Sequence, residues 1–181
     1  MRIPRVTFLL LALLLAACTD LPISQQPGIT PATGTPAASG NCSFNWATQP
    51  LPDLTEKVQA SIKAAGLRDV SVVAEAYGEN CYDSNTNQPV SFAALETDFH
   101  ISIKVDDLKD KTSLGNLLDK VLVIMDAFPV GKTPGPQPGL INVSFQSGSN
   151  ELNLSFPVTL GKTAREKGLQ GAELLETLSS K

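Results

Sequence analysis

Past residue 41 the chain alternates between two hydrophobic periods, and the changes of period mark its elements. Leu54, Val58, Ile62 and Ala65 recur at helical intervals between Asp53 and Gly66, a first helix with a glycine stop. Asp53 and Glu56 have the spacing of a capping box at its start. Asp69 to Tyr77 is rich in β-formers. From Thr97 to Val105, Thr97, Phe99, Ile101, Ile103 and Val105 alternate with Asp98, His100, Ser102 and Lys104. These segments predict two strands of a long hairpin, with 78–96 between them and 83–87 (DSNTN) as its most turn-like part. A second helix is expected from about Thr112 to Phe128, where Leu114, Leu117, Leu118, Val121, Leu122 and Met125 make a broad apolar face. The Pro/Gly-rich 131–139 (GKTPGPQPG) then reads as an exposed loop.

Ile141, Val143 and Phe145 alternate with Asn142, Ser144 and Gln146. After a turn at 147–150, Leu152, Leu154 and Phe156 alternate with Asn153, Ser155 and Pro157, which predicts a second hairpin. Thr163 and Glu166 have the spacing to cap a final helix that Gly168 and Gly171 weaken, and its firmest stretch is Ala172 to Leu178. The order helix, hairpin, helix, hairpin, helix predicts one α+β domain over 42–181. It is a two-layer sandwich, with a four-stranded, mainly antiparallel sheet and helices on one face. The helix-strand-strand-helix-strand order also resembles small bacterial envelope domains of the BON type, a likeness of element order without a shared motif.

The first 41 residues follow different rules. Arg2 and Arg5 precede an uncharged apolar run from Val6 to Ala17, about 12 residues and too short to cross a ~30 Å hydrocarbon core as a helix. The run ends in Leu15-Ala16-Ala17-Cys18, which resembles the lipobox of bacterial lipoproteins. That resemblance implies a signal peptide over 1–17, cleavage before Cys18, and acyl chains, palmitate among them, on Cys18. It also implies an extracytoplasmic, membrane-anchored address in the cell envelope. At about 0.8 kcal/mol per buried CH₂, two or three chains hold a protein to a membrane stably. Residues 18–41, interrupted by Pro22, Pro27, Pro31 and Pro36 and charged only at Asp20, read as a tether that reaches up to ~70 Å if polyproline-like.

Charge and cysteine content narrow the picture further. Of 14 basic and 18 acidic residues, removal of Arg2 and Arg5 leaves 12 against 18, a mature charge of −6. Such a chain has no basic field for nucleic acid and is repelled by anionic headgroups, so lipid is expected to hold it at the membrane. With Cys18 consumed, Cys42 and Cys81 remain as an even pair in an oxidising compartment, which argues for a disulfide.

Chemistry is thinly signalled, and no catalytic residue, metal site or cofactor is assigned. Asp83, Asn85 and Asn87 match the opening of a calcium loop, but Gln88 stands where the sharp-turn Gly belongs and Ala94 where the bidentate Glu belongs. Gly131-Lys132-Thr133 and Gly161-Lys162-Thr163 end like phosphate loops, yet the required earlier glycine is Asp126 or Phe156, so both read as turns or caps. The single His, His100, has no nucleophile-elbow motif to serve. Asp106, Asp107 and Asp110 suit a helix entry.

What the alternation does offer is a polar sheet face. His100, Lys104, Asn142 and Gln146 are its candidate binding residues, with an envelope protein or glycan as the partner class. The expected function is therefore a noncatalytic, lipid-anchored envelope protein that binds or scaffolds a partner. The alternative is a small extracytoplasmic hydrolase or calcium-dependent domain using His100 with carboxylates.

Overall fold

A computed structural model describes residues 42–180. The expectations for the signal peptide, Cys18 and the tether fall outside the described residues. The elements run β1 (Cys42–Pro50), α1 (Pro52–Ala64), β2 (Val70–Asp83), β3 (Pro89–Lys104), α2 (Lys111–Met125), β4 (Gln137–Ser147), β5 (Asn150–Pro157), α3 (Val158–Glu166) and α4 (Gly171–Ser179). The class is α+β as expected, with one sheet of five strands in the order β1-β2-β3-β4-β5.

Four strands were expected, and β1 is the fifth. Its alternation is short and carries no charge, and Pro50 and Pro52 follow it, so nothing local distinguishes it from a lead-in to the helix. Pairing with β2, Cys42 opposite Asp83 through Pro50 opposite Glu75, makes it a strand. The Cys42–Cys81 disulfide, with Cα atoms 5.3 Å apart, joins diagonal neighbours across this pair.

The two strands of the first hairpin are also longer than expected. The segment 78–96 is mostly strand, and the turn shrinks to 84–88. Between β2 and β3 the register slips at Tyr77/Gly78, where Leu95 is the extra residue, and such a bulge bends the ladder. The β3–β4 pair at the centre of the sheet is parallel while the other three are antiparallel. The cause is α2, which carries the chain back to the end of the sheet from which β3 started.

α1 begins on Pro52, with Leu51 rather than Asp53 at the cap and no side-chain cap bond, so the expected capping box does not form. The proline ring presets the first helical turn and lacks an N–H that would go unsatisfied there. The helix also finishes the edge of β2. β1 pairs only with residues 75–83, and along 70–74 three of the outward ladder groups are met by α1 side chains. Thr55 Oγ1 accepts from Ala74 N at 2.9 Å. Gln59 Oε1 accepts from Val72 N at 3.0 Å, and Gln59 Nε2 donates to Val70 O at 3.0 Å.

α2 is capped by Asp110, whose carboxylate accepts from Ser113 N at 3.0 Å and from Ser113 Oγ at 2.6 Å. These bonds hold its pKa below the ordinary carboxylate value. The expected final helix is two. α3 starts directly on Val158 and stops at Gly168, φ +76°, so Thr163 lies inside a helix instead of capping one. Gly161-Lys162-Thr163 is likewise helical, which corrects its reading as a turn or cap.

The core lies between the helices and one face of the sheet. Val70, Val72, Phe99, Ile101, Ile103, Ile141, Val143, Phe145, Leu154 and Phe156 point into it from the strands. Val58 and Ile62 of α1, Leu114 and Leu118 of α2, and Leu174 and Leu178 of α4 meet them. Each such side chain, fully buried, stabilises by ~1.5–3 kcal/mol relative to exposure, so this alternation dictates which face the helices take. Thr97, the buried polar residue on this face, donates from Oγ1 to Pro134 O at 2.7 Å and anchors the Pro/Gly-rich loop to β3.

Candidate functional site

Because the core claims one parity of each strand, the other parity makes a sheet face that no described helix covers. Across β3, β4 and β5 the register aligns His100 with Asn142 and Ser155, and Ser102 with Ser144 and Asn153. These six side chains line a shallow trough of about 570 Å³. Lys104 and Gln146 share the face one register step further along, opposite each other, and do not line it. Of the expected binding residues, the structure therefore brings His100 and Asn142 together in the trough and leaves Lys104 and Gln146 as its neighbours.

The trough presents amides and hydroxyls, which both donate and accept hydrogen bonds. Ser144 Oγ donates to Glu151 Oε1 at 2.9 Å, and Gln146 Nε2 approaches Ser144 Oγ at 3.4 Å, so one wall is preorganised. On the other side, His100 Nε2 stands 3.5 Å from Glu75 Oε2 of β2, with both side chains partly exposed. Asp98 turns back into the sheet, where its Oδ1 accepts from Leu140 N at 2.7 Å across the irregular stretch of the β3–β4 pair.

The same face continues onto the far half of β2 and β3, beyond the bulge, and onto β1. Here it changes character. Phe44 and Trp46 of β1 are 54% and 61% exposed, so these large apolar groups face solvent. Trp46 stacks on Tyr77 of β2 with ring centroids 5.4 Å apart and planes 8° from parallel. Glu75 and Glu79 of β2 lie opposite Pro50 and Trp46, and Glu96 of β3 lies opposite Tyr77. Burial, and then the neighbouring charge of Asp98, pushes the Glu96 carboxyl above its ordinary pKa.

This aromatic and acidic patch was not anticipated. The available signal was the alternation Phe44-x-Trp46 two residues after a cysteine. Pairing Cys42 with Cys81 obliges these residues to lie against β2.

The remaining expectations resolve locally. Asp83 Oδ1 accepts from Asn85 N and Thr86 N, each at 2.9 Å, and from Thr86 Oγ1 at 3.2 Å. Those bonds lower its pKa and make it the organiser of the β2–β3 turn. A smaller depression of about 190 Å³, lined by Asp126, Lys162, Arg165 and Glu166, lies where α3 meets the end of α2. Arg165 bridges Asp119, at 3.1 Å from Nε, and Asp126 there, tying the two helices together. Among the described residues, no helix is long and apolar enough to cross a membrane. Compared with protein-family models, with curated proteins and with solved structures, the chain matches none.

Proposed function

We propose that this protein is a noncatalytic, lipid-anchored component of a bacterial cell envelope, held at a membrane through Cys18, whose uncovered sheet face binds an envelope protein or glycan. The observation that carries the reading is the division of the sheet. One face is closed by helices, and the other carries a polar trough of about 570 Å³ across β3, β4 and β5 and, apart from it, exposed aromatic rings on β1. Amides and hydroxyls at strand spacing match the hydrogen-bonding pattern of a sugar or an extended peptide, and their fixed places on paired strands limit the ordering cost of binding. The lipobox-like Leu15-Ala16-Ala17-Cys18 supplies the address.

The test has two parts. Labelled palmitate fed to producing cells should enter the wild-type protein but not Cys18→Ser, and only the wild type should sediment with membranes. A photo-crosslinking residue in place of Ser102 should capture one discrete species in the native envelope. That adduct should be lost on combining His100→Ala, Asn142→Ala and Gln146→Ala. An adduct pattern unchanged by the triple substitution rules out the sheet face as the binding surface.

A further inference from the structure

The two stretches of sheet edge on the β1 side are finished differently. Along residues 70–74 of β2, Thr55 and Gln59 of α1 satisfy three of the outward backbone groups, Ala74 N, Val72 N and Val70 O. No described residue does the same for β1, which ends the strand order. Leu51 N donates to Ala74 O at 2.9 Å, and this fixes the phase of the ladder. By alternation, Ser43, Asn45, Ala47 and Gln49 turn their N–H and C=O groups towards β2, whereas Phe44, Trp46 and Thr48 turn theirs outward. Pro50 falls in the outward set, where the missing N–H costs the β1–β2 ladder nothing.

Natural edge strands are usually blunted by charge, by a bulge or by proline. β1 contains no charged residue and pairs with β2 without a register shift, and Pro50 is its last residue. The opposite edge strand, β5, is shorter and carries both Glu151 and Pro157. Charge then selects among partners for the open edge. Strands β1, β2 and β3 carry five carboxylates, at Glu75, Glu79, Asp83, Glu96 and Asp98. Their one lysine, Lys104, lies at the far end of β3, opposite Gln146.

We infer that the outer edge of β1 is a seat for an extended, Lys- or Arg-bearing polypeptide segment that adds to the sheet as a sixth strand. Its backbone pairs with the outward groups of Phe44, Trp46 and Thr48. Alternate side chains lie on the same face as Phe44 and Trp46, where a cation sits over the indole within ~6 Å of its centroid. Neighbouring strands are ~4.8 Å apart, so β2 lies about two spacings from the added strand and a lysine or arginine can extend across β1 towards Glu79 or Glu75. This seat lies away from the trough, and its test is read separately from the triple substitution there.

The full-length protein has one tryptophan, so its intrinsic fluorescence reports on this edge. A ten-residue peptide alternating Lys and Thr should change that fluorescence saturably, and the same peptide with Glu for Lys should bind at least tenfold more weakly. Thr48→Pro removes an outward N–H without altering charge or the inner ladder, and should weaken the Lys peptide at least tenfold while leaving the circular dichroism unchanged. Trp46→Lys, followed with a fluorophore on the peptide, should do the same. Equal binding of the Lys and Glu peptides overturns the proposal, as does full binding to Thr48→Pro, which would reduce the effect to bulk charge. Sedimentation equilibrium showing a dimer that Thr48→Pro dissociates also overturns it, because the edge would then be occupied by a second copy of the chain.

Discussion

Gly115, in the second turn of α2, faces Gly171 at the start of α4, and the backbones touch there. A Cβ built on Gly115 would stand 1.8 Å from the Gly171 carbonyl oxygen and 2.3 Å from its carbonyl carbon. Ordinary contact begins near 3.4 Å, so Gly115→Ala forces α2 and α4 apart by roughly 1.5 Å along a seam that also buries Leu114, Leu118, Leu174 and Leu178. Two effects oppose. Alanine in a helix interior is favoured over glycine by ~1 kcal/mol. Overpacking costs ~1–3 kcal/mol and more where the obstacle is backbone that no rotamer change can move.

The steric effect should win, with a net loss of about 2–3 kcal/mol, or a fall in Tm of roughly 6–15 °C for a domain of this size. Gly161→Ala in α3 is the control. Its Cβ would meet only side-chain atoms, Leu122 Cδ2 at 3.1 Å and Phe156 Cε2 at 3.2 Å, so it should stay within about 1 kcal/mol of wild type. Urea titration and thermal melts of both variants decide the matter. A Gly115→Ala protein as stable as wild type would mean that the two helices do not meet backbone to backbone.

Reducing Cys42–Cys81, which closes a loop with a sequence separation of 39, should cost up to ~4 kcal/mol by the chain-entropy model, read as a lower urea midpoint with m raised because the unfolded chain is no longer constrained. Thiol labelling of the unreduced protein should find neither cysteine, and labelling of both would remove the staple from the account. Glu96 titrates above its ordinary value, so between pH 4.5 and its raised pKa the folded state holds a proton that the unfolded chain has released. Stability should therefore fall as pH rises through that window, and Glu96→Gln should flatten the fall; an unaltered pH profile in the variant refutes this assignment. Asp110 shifts the other way, because the ionised carboxylate accepts the Ser113 bonds. Its contribution is present above pH 3.8 and lost as pH drops through the lowered pKa, so Asp110→Asn should reduce the loss of α2 signal below pH 3.8, and an acid transition identical to wild type would count against the cap.

The alternation of Phe99, Ile101 and Ile103, and of Ile141, Val143 and Phe145, was legible because a one-residue slip would put an entire strand's apolar set in water. It assigned the strand cores and the face that takes the helices, and with them His100 and Asn142 to a common surface. β1 was not legible, since Phe44 and Trp46 stay exposed and no burial rewards their spacing. The segment 78–96 reads only as the connection between two shorter strands, for a related reason. It contains Gly78, Pro89 and the extra residue at the bulge, and beyond Gly78 its inward positions Asn80, Phe92 and Ala94 are only half-buried, so the period of two is broken. Helix starts were misread at Asp53 and Thr163, where capping-box spacing occurs inside the first turn or mid-helix and packing sets the actual boundary.

The sequence by itself determined the α+β class, the apolar faces, the cysteine pair as candidate partners, and an acidic entry to α2 at Asp106, Asp107 and Asp110. These depend on local periodicity, composition and short-range hydrogen bonds, all of which are written within a few residues of one another. Tertiary structure alone decided that β3 and β4 run parallel and that His100 meets Asn142 and Ser155 across three strands. It also decided that Trp46 stacks on Tyr77 beside Glu79 at an edge that α1 leaves open. Such relations join residues tens of positions apart, and they are fixed by which strand edges remain once the common core has been buried.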